Sequence, residues 1–162
     1  MRGDDKVIEY LNLVLKAELT AINQYFLHAE MMNNWGYLRL YGITRKEAIE
    51  EMRHAEKLME RILFLDAMPT MSELFPLRIG QNVKSQLEND LALELEALPR
   101  LNEAIRYAVS ANDNTSRELF EQILVDEEDH VDFLEAQLFM IREMGIENYL
   151  AAQMHADAPA PG

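Results

Sequence analysis

Apolar residues along the chain recur at helical spacing through four long stretches. From about Asp4 to Trp35 the stripe is Leu11, Val14, Leu15, Ala21, Ile22, Tyr25 and Ala29, with no internal Gly or Pro. Asp4 or Asp5 can cap this helix and Gly36 can end it. A second helix is expected from Thr44, because Thr44-Arg45-Lys46-Glu47 has the capping-box pattern, and it should stop before Pro69. Its stripe reads Ala48, Ala55, Leu58, Ile62 and Leu65. A third runs from about Asn82 to Val109 on Leu87, Leu91, Leu98, Leu101 and Ile105, with Pro99 expected to kink it near Leu95. Thr115-Ser116-Arg117-Glu118 is a second capping-box pattern, opening a fourth helix to Met144 with Gly145 as a left-handed stop. Phe120, Ile123, Leu124, Val131, Leu134 and Leu138 form its inner face. A short amphipathic piece, about 147–154, follows.

Residues 67–82 differ, since Pro69, Pro76 and Gly80 interrupt any helix and the stretch is long for a bundle loop. A connection of that length can climb the full height of a bundle and deliver the next helix parallel to the last. The expected fold is therefore all-α: a ferritin-like four-helix bundle with one long crossover and a short C-terminal fifth helix. One domain over 1–155 accommodates it, with a flexible Ala/Pro-rich tail over 156–162.

The polar residues that break the stripes are more informative than the stripes. Glu18 falls between Val14/Leu15 and Ile22, Glu51 between Ala48 and Ala55, Glu94 between Leu91 and Leu98, and Glu127 between Leu124 and Val131. Each helix thus carries one Glu in its apolar seam. Two of them begin a Glu-x-x-His, Glu51 with His54 and Glu127 with His130, which puts the imidazole one turn along the same face. Glu18 precedes Glu51 by 33 residues and Glu94 precedes Glu127 by 33, so the halves repeat with a shift of 76. Four carboxylates in a dry core would repel one another strongly. Two divalent cations would neutralise them, and a ligand set of oxygen and imidazole without sulfur suits Fe or Mn better than structural Zn. Two Glu plus two Glu-x-x-His is the ligand set of the di-iron and di-manganese carboxylate bundles. Salt bridging on a half-buried surface is the alternative reading.

Glu50 and Asp126, also 76 apart, are either partners for the imidazoles or part of a solvated acidic face. His28 and His155 have no such setting and read as surface residues. Met52 reads as an interface or gap-filling side chain.

Composition narrows the options. The chain has 162 residues, no Cys and a formal net charge of −14, which excludes thiolate sites and disfavours nucleic-acid binding. No signal-like or membrane-length apolar run is present, none being longer than the four residues of Ile62-Leu63-Phe64-Leu65, so a cytoplasmic protein with no membrane partner is expected.

On these residues the sequence resembles the bacterioferritins over nearly its whole length. The likeness is carried by Met1, Gly3 and Asp4, Asn12, Glu18-Leu-Thr-Ala-Ile-Asn-Gln-Tyr25-Phe26, Trp35-Gly36 and Ile49-Glu-Glu-Met-Arg-His54-Ala55. It continues through Arg61-Ile-Leu-Phe-Leu65, Asp90-Leu-Ala-Leu-Glu94, Asp126-Glu-Glu-Asp-His130 and Asn148-Tyr-Leu150. The resemblance implies an iron-storage ferroxidase that oxidises Fe(II) with oxygen or hydrogen peroxide and stores Fe(III) mineral in a shell of 24 subunits built from dimers. It implies that Glu18 and His54 bind one iron, Glu94 and His130 the other, and that Glu51 and Glu127 bridge. It further implies haem b shared between two subunits with Met52 as axial ligand, and a ferredoxin as partner for iron release. Tyr25 is, by the same likeness, an electron donor or relay; on its own position it is equally a core aromatic whose hydroxyl bonds a ligand carboxylate. Lys46 and Glu50 depart from members that have His and Asp there, which argues against an extra iron site at that surface. A di-iron oxygenase or radical enzyme shares the helical ligand pattern, and a non-catalytic haem-binding helical dimer would share Met52.

Overall fold

The computed structural model describes residues 1–157, in which five helices occur and, among the described residues, no strand. They are α1 Asp5–Trp35, α2 Leu38–Phe64, α3 Val83–Ser110, α4 Asn114–Met144 and α5 Ile146–Ala151. The four long helices form the expected ferritin-like bundle, with α5 as the short fifth helix. The tail expected over 156–162 lies, from residue 158 onward, outside the described residues; Asp157 accepts a bond from Arg39 Nε at 3.0 Å.

Asp4 caps α1, its side chain accepting from the amides of Lys6 and Val7 at 2.9 and 3.0 Å. Gly36 ends it in the left-handed region at φ 89°, the conformation that favours a residue without Cβ. α2 starts at Leu38, six residues before the expected Thr44. Its first turns bury Leu40 completely, and that burial outweighs the roughly 1 kcal/mol that Gly42 costs inside a helix. Thr44 is consequently no cap: it is buried mid-helix with its hydroxyl on the sulfur of Met32 at 3.5 Å.

The cap of α4 is also displaced. Asp113, not Thr115, accepts from the Ser116 amide at 3.0 Å and from the Ser116 hydroxyl at 2.6 Å. Arg61 of α2 fixes the arrangement by donating to both Asp113 and Ser116. α3 opens as expected after Asn82, in a reciprocal cap with Ser85, and continues through Pro99. The carbonyl of Leu95 that Pro99 leaves unpaired lies on an exposed stretch, where water can bond it. Gly145 has φ 79° but ψ 153°, so it is an extended positive-φ junction rather than a left-handed stop, and α5 begins directly after it. Tyr149 anchors α5 by donating to Gln137 at 2.6 Å.

The crossover after α2 rises along α1, held by a ladder of α1 side chains. Asn12 accepts from the Thr70 amide, Thr20 from Phe75, Gln24 from Arg78 and His28 from Gly80, at 2.8 to 3.0 Å. α2 ends beside the start of α1, where the Met1 amino group meets the Phe64 carbonyl. α3 begins beside His28 and returns to place Tyr107 on Asp4. α2 and α3 are therefore parallel, as one full-height crossover requires.

His28 is the clearest departure from expectation. It is not a surface residue but fully buried. Its Nε2 accepts from Gly80, so Nδ1 carries the proton and donates to Asp90 at 2.9 Å, while Gln24 donates to the same carboxylate at 2.8 Å. His155 is exposed.

Two apolar clusters fill the ends of the bundle. One gathers Leu11, Leu58, Ile62, Leu101 and Phe120, the other Met32, Leu40, Leu87 and Leu134. Between them, beside a small apolar group of Ala21, Tyr25, Ala48 and Leu93, lies a layer of buried acidic residues.

Candidate metal centre

That middle layer is built by the four seam glutamates. Glu18, Glu51, Glu94 and Glu127 are all buried, the most accessible of them only 4% exposed, and His54 and His130 are buried beside them. The one-turn offset of each Glu-x-x-His brings the imidazole alongside its own glutamate and those of other helices. His54 Nδ1 lies 3.6 Å from Glu18, 3.9 Å from Glu51 and 3.3 Å from Glu127. His130 Nδ1 lies 3.1 Å from Glu51, 3.6 Å from Glu94 and 3.5 Å from Glu127. The six side chains form two overlapping sets, Glu18–Glu51–His54–Glu127 and Glu51–Glu94–Glu127–His130, within each of which the candidate donor atoms lie within 4.8 Å of one another. Glu51 and Glu127 are common to both.

The backs of the imidazoles are tied. His54 Nε2 bonds Asp126 at 2.7 Å and His130 Nε2 bonds Glu50 at 2.9 Å, so Glu50 and Asp126 are imidazole partners. A carboxylate accepts, hence Nε2 carries hydrogen on each ring and Nδ1 can present a lone pair to the centre. Tyr25, fully buried in α1, donates its hydroxyl to Glu94. Met52 behaves oppositely: it is 48% exposed and points away from the acidic layer.

Inside the layer, polar atoms lack partners. Glu18 Oε2, Glu51 Oε1, His54 Nδ1, Glu127 Oε1 and His130 Nδ1 are buried without a hydrogen bond. Orphan polar atoms are expensive, and five converging on one centre fit a bound cation.

Protons take the cations' role in the metal-free cluster. Burial, then the charges of Glu51 and Glu127, push Glu18 well above the usual carboxylate range. Burial and Glu127 do the same to Glu94. Burial also works against ionising Glu51, but the adjacent Glu18 carboxyl and the two imidazoles hold it down at about 2. Burial opposes charging His54 and His130, yet the surrounding carboxylates raise both.

Glu47 was missed as anything but a cap. One turn before Glu51, it is pushed up to about 8 by burial and by the charges of Asp90, Glu94 and Glu51, against the opposing pull of His130. Its spacing of four from Glu51 was the available signal.

These shifts predict a pH dependence. A group whose folded pKa is raised stabilises the fold below its ordinary pKa and loses that contribution as pH rises through the raised value. This holds for Glu18, Glu94, Glu47 and both histidines; Glu51, lowered, loses its contribution only as pH falls towards about 2. Chelated protein should therefore melt at falling temperature between about pH 5 and about pH 8. Glu18→Gln/Glu94→Gln should flatten that slope, and excess Co(II) should raise Tm more at the higher pH, because metal displaces protons. Calorimetry across pH checks all three.

A Ferritin-like domain family model matches residues 8–144. The chain is 50% identical to a bacterioferritin of Mycolicibacterium paratuberculosis over 151 residues, 93% of this chain and 95% of that one. It is 47% identical to a bacterioferritin of Streptomyces coelicolor over 161 residues, covering 99% and 96% of the two chains. It is 48% identical to a bacterioferritin of Brucella melitensis over 160 residues, 99% and 98%. Among the described residues, no helix is long and apolar enough to cross a membrane.

Proposed function

The chain belongs to the bacterioferritin family, and from that membership and the paired cluster we propose an iron-storage protein that oxidises Fe(II) to Fe(III). The observation that carries the reading is the convergence of five unpartnered buried donor atoms between two sets that share Glu51 and Glu127. Glu18 and His54 take one Fe(II) substrate ion, Glu94 and His130 the other, and Glu51 and Glu127 bridge them. Carboxylate oxygen stabilises Fe(III) over Fe(II), so the ligand set favours oxidation. Each Fe(II) gives one electron; dioxygen takes two electrons and two protons and leaves as hydrogen peroxide, or peroxide takes two electrons and two protons and leaves as water. Protons expelled from the cluster as metal binds lie where that reduction consumes them.

The chain's own residues orient the ligands. Asp126 and Glu50 fix the imidazole rings, and Tyr25 steers Glu94 through its hydroxyl. The same bond lets Tyr25 act as an electron donor, since an oxidised tyrosine can pass its proton to Glu94. Glu50 is engaged with His130 and Lys46 is a cation, so neither supports a further iron site at that surface.

Haem b fits Met52, whose exposed thioether faces away from the acidic layer and is open to a second subunit. When bound there it would supply a one-electron carrier between two subunits. Met52→Leu should abolish the Soret band of purified protein while leaving Fe(II) oxidation at the wild-type rate; a retained band would refute the ligand assignment. The oxidised iron would be stored in a cytoplasmic shell of 24 subunits assembled from dimers, with a ferredoxin as reductant for release.

Aerobic Fe(II) titration tests the core of the proposal. Fast oxidation should break near about two Fe(II) per subunit, as a two-metal site requires. Slow oxidation without a break would refute it. Gel filtration showing only monomer or dimer would refute the shell.

A further inference from the structure

The acidic layer is approached from two sides, and the two approaches differ in size and charge. Between α2 and α4 lies an open pocket of about 380 Å³ whose floor is His54 and His130. Glu50, Asp126 and Asp129 line it, against Arg53 and Lys57. Two of those carboxylates already bond the backs of the imidazoles, so the pocket ends directly on the ligands. Its volume accommodates a hydrated divalent cation, and Asp129, the lining carboxylate not bonded to an imidazole, can replace a water oxygen as the ion sheds its shell.

On the opposite side, between α1 and α3, is a slot of only about 10 Å³, the room of one water-sized molecule. Its walls are Ala17, Ala21, Leu93 and Ala97, and it reaches Glu18, Glu51, Glu94 and Glu127, three of which carry or adjoin the orphan oxygens. An ion would have to lose its water before entering, and the oxygens that could replace it belong to the four glutamates at the buried end, past the apolar walls. Cations also stand by the walls. Lys16 adjoins Ala17, and Arg100 is one turn beyond Ala97; both are directed at the ring of Phe75, at 4.4 and 4.8 Å. Phe75, held by its amide to Thr20, thus bridges α1 and α3 beside the slot with a positive charge on either side. Burial lowers the pKa of Arg100, opposed by the charges of Glu96 and then Glu18.

We propose that the two approaches carry different traffic: Fe(II) enters through the acidic α2/α4 pocket, and the uncharged oxidant enters through the alanine-walled α1/α3 slot, from which Lys16 and Arg100 turn cations away. The inference rests on the ferroxidase reading and assigns Ala17, Ala97 and Asp129 as residues that determine which reactant arrives by which side.

Two stopped-flow measurements separate the routes: anaerobic Co(II) loading, read by its visible absorption, and oxidation of protein preloaded anaerobically with Fe(II). Ala97→Leu should slow oxidation of preloaded protein about tenfold, because close-packed walls leave no alternative space, and keep Co(II) loading within about twofold of wild type. Ala17→Val is the milder second variant, and circular dichroism verifies that each variant is folded. Asp129→Lys should do the reverse, slowing Co(II) loading about tenfold and leaving preloaded oxidation unchanged. Added salt should slow loading in the wild type but not oxidation. Slot variants that slow loading as much as oxidation, or that alter neither, would overturn the assignment. A wild type that loads Co(II) yet never oxidises Fe(II) would instead overturn the ferroxidase reading, and the loading arm would still report the metal's route.

Discussion

Exchanging Glu51 and Glu127 together for alanine should reduce fast Fe(II) oxidation at least about a hundredfold, because both metal positions lose two ligands at once. No other pair of residues is shared by the two donor sets. The same variant should lose the rise in Tm that Co(II) gives the wild type, which separates loss of metal from loss of electron transfer. In the chelated state the variant should not be less soluble or less helical, since the layer sheds two buried carboxylates that repel Glu18 and Glu94. Stopped-flow absorbance and calorimetry decide it. A rate within about twofold of wild type would show that the six side chains are not where oxidation occurs.

The second large effect is expected far from any metal. His28→Ala should lower unfolding free energy by about 3–5 kcal/mol, the range for removing one partner of a buried pair. Asp90 would be left buried with only Gln24, and the Gly80 amide would lose its acceptor. Burial already raises the pKa of Asp90 against the lowering effect of His28, so without the imidazole its charge becomes harder to hold. Urea unfolding of chelated protein measures the cost directly. If the midpoint moved by less than an experimental error, the pair would be ornamental to stability. His28→Gln, which keeps an acceptor for Gly80, should recover part of the loss.

Both predictions depend on buried polar residues, yet only one set was legible in the sequence. The seam glutamates announce themselves because a carboxylate at a core position is costly, and their repeat at 33 and 76 residues allows little else. His28 gives no such signal. It falls near the end of a long helix, and its partners Asp90 and Gly80 are 62 and 52 residues away, in positions only the folded crossover brings together. The start of α2 was hidden by Gly42 and by a Thr-x-x-Glu whose members serve other ends, Thr44 in the core and Glu47 against the acidic layer. The cap of α4 was hidden because Arg61, remote in sequence, selects Asp113. The bundle, the crossover and the six side chains that meet in its middle were readable from period and spacing; the caps were not, since several residues near each end could have served and tertiary contacts chose among them.

The ladder from α1 to the crossover has a consequence for how the chain tolerates change. Connections on protein surfaces ordinarily accept insertions and deletions. Here Thr70, Phe75, Arg78 and Gly80 each occupy a numbered rung opposite Asn12, Thr20, Gln24 and His28. Gly80 also admits no side chain, because a Cβ there would fall 2.3 Å from the Gln86 amide nitrogen. A single residue added between two rungs would put every later rung out of step and carry Phe75 or His28's partner past its contact. The crossover is a loop by shape but a measured length by constraint, and indels should be confined to the stretches outside its rungs.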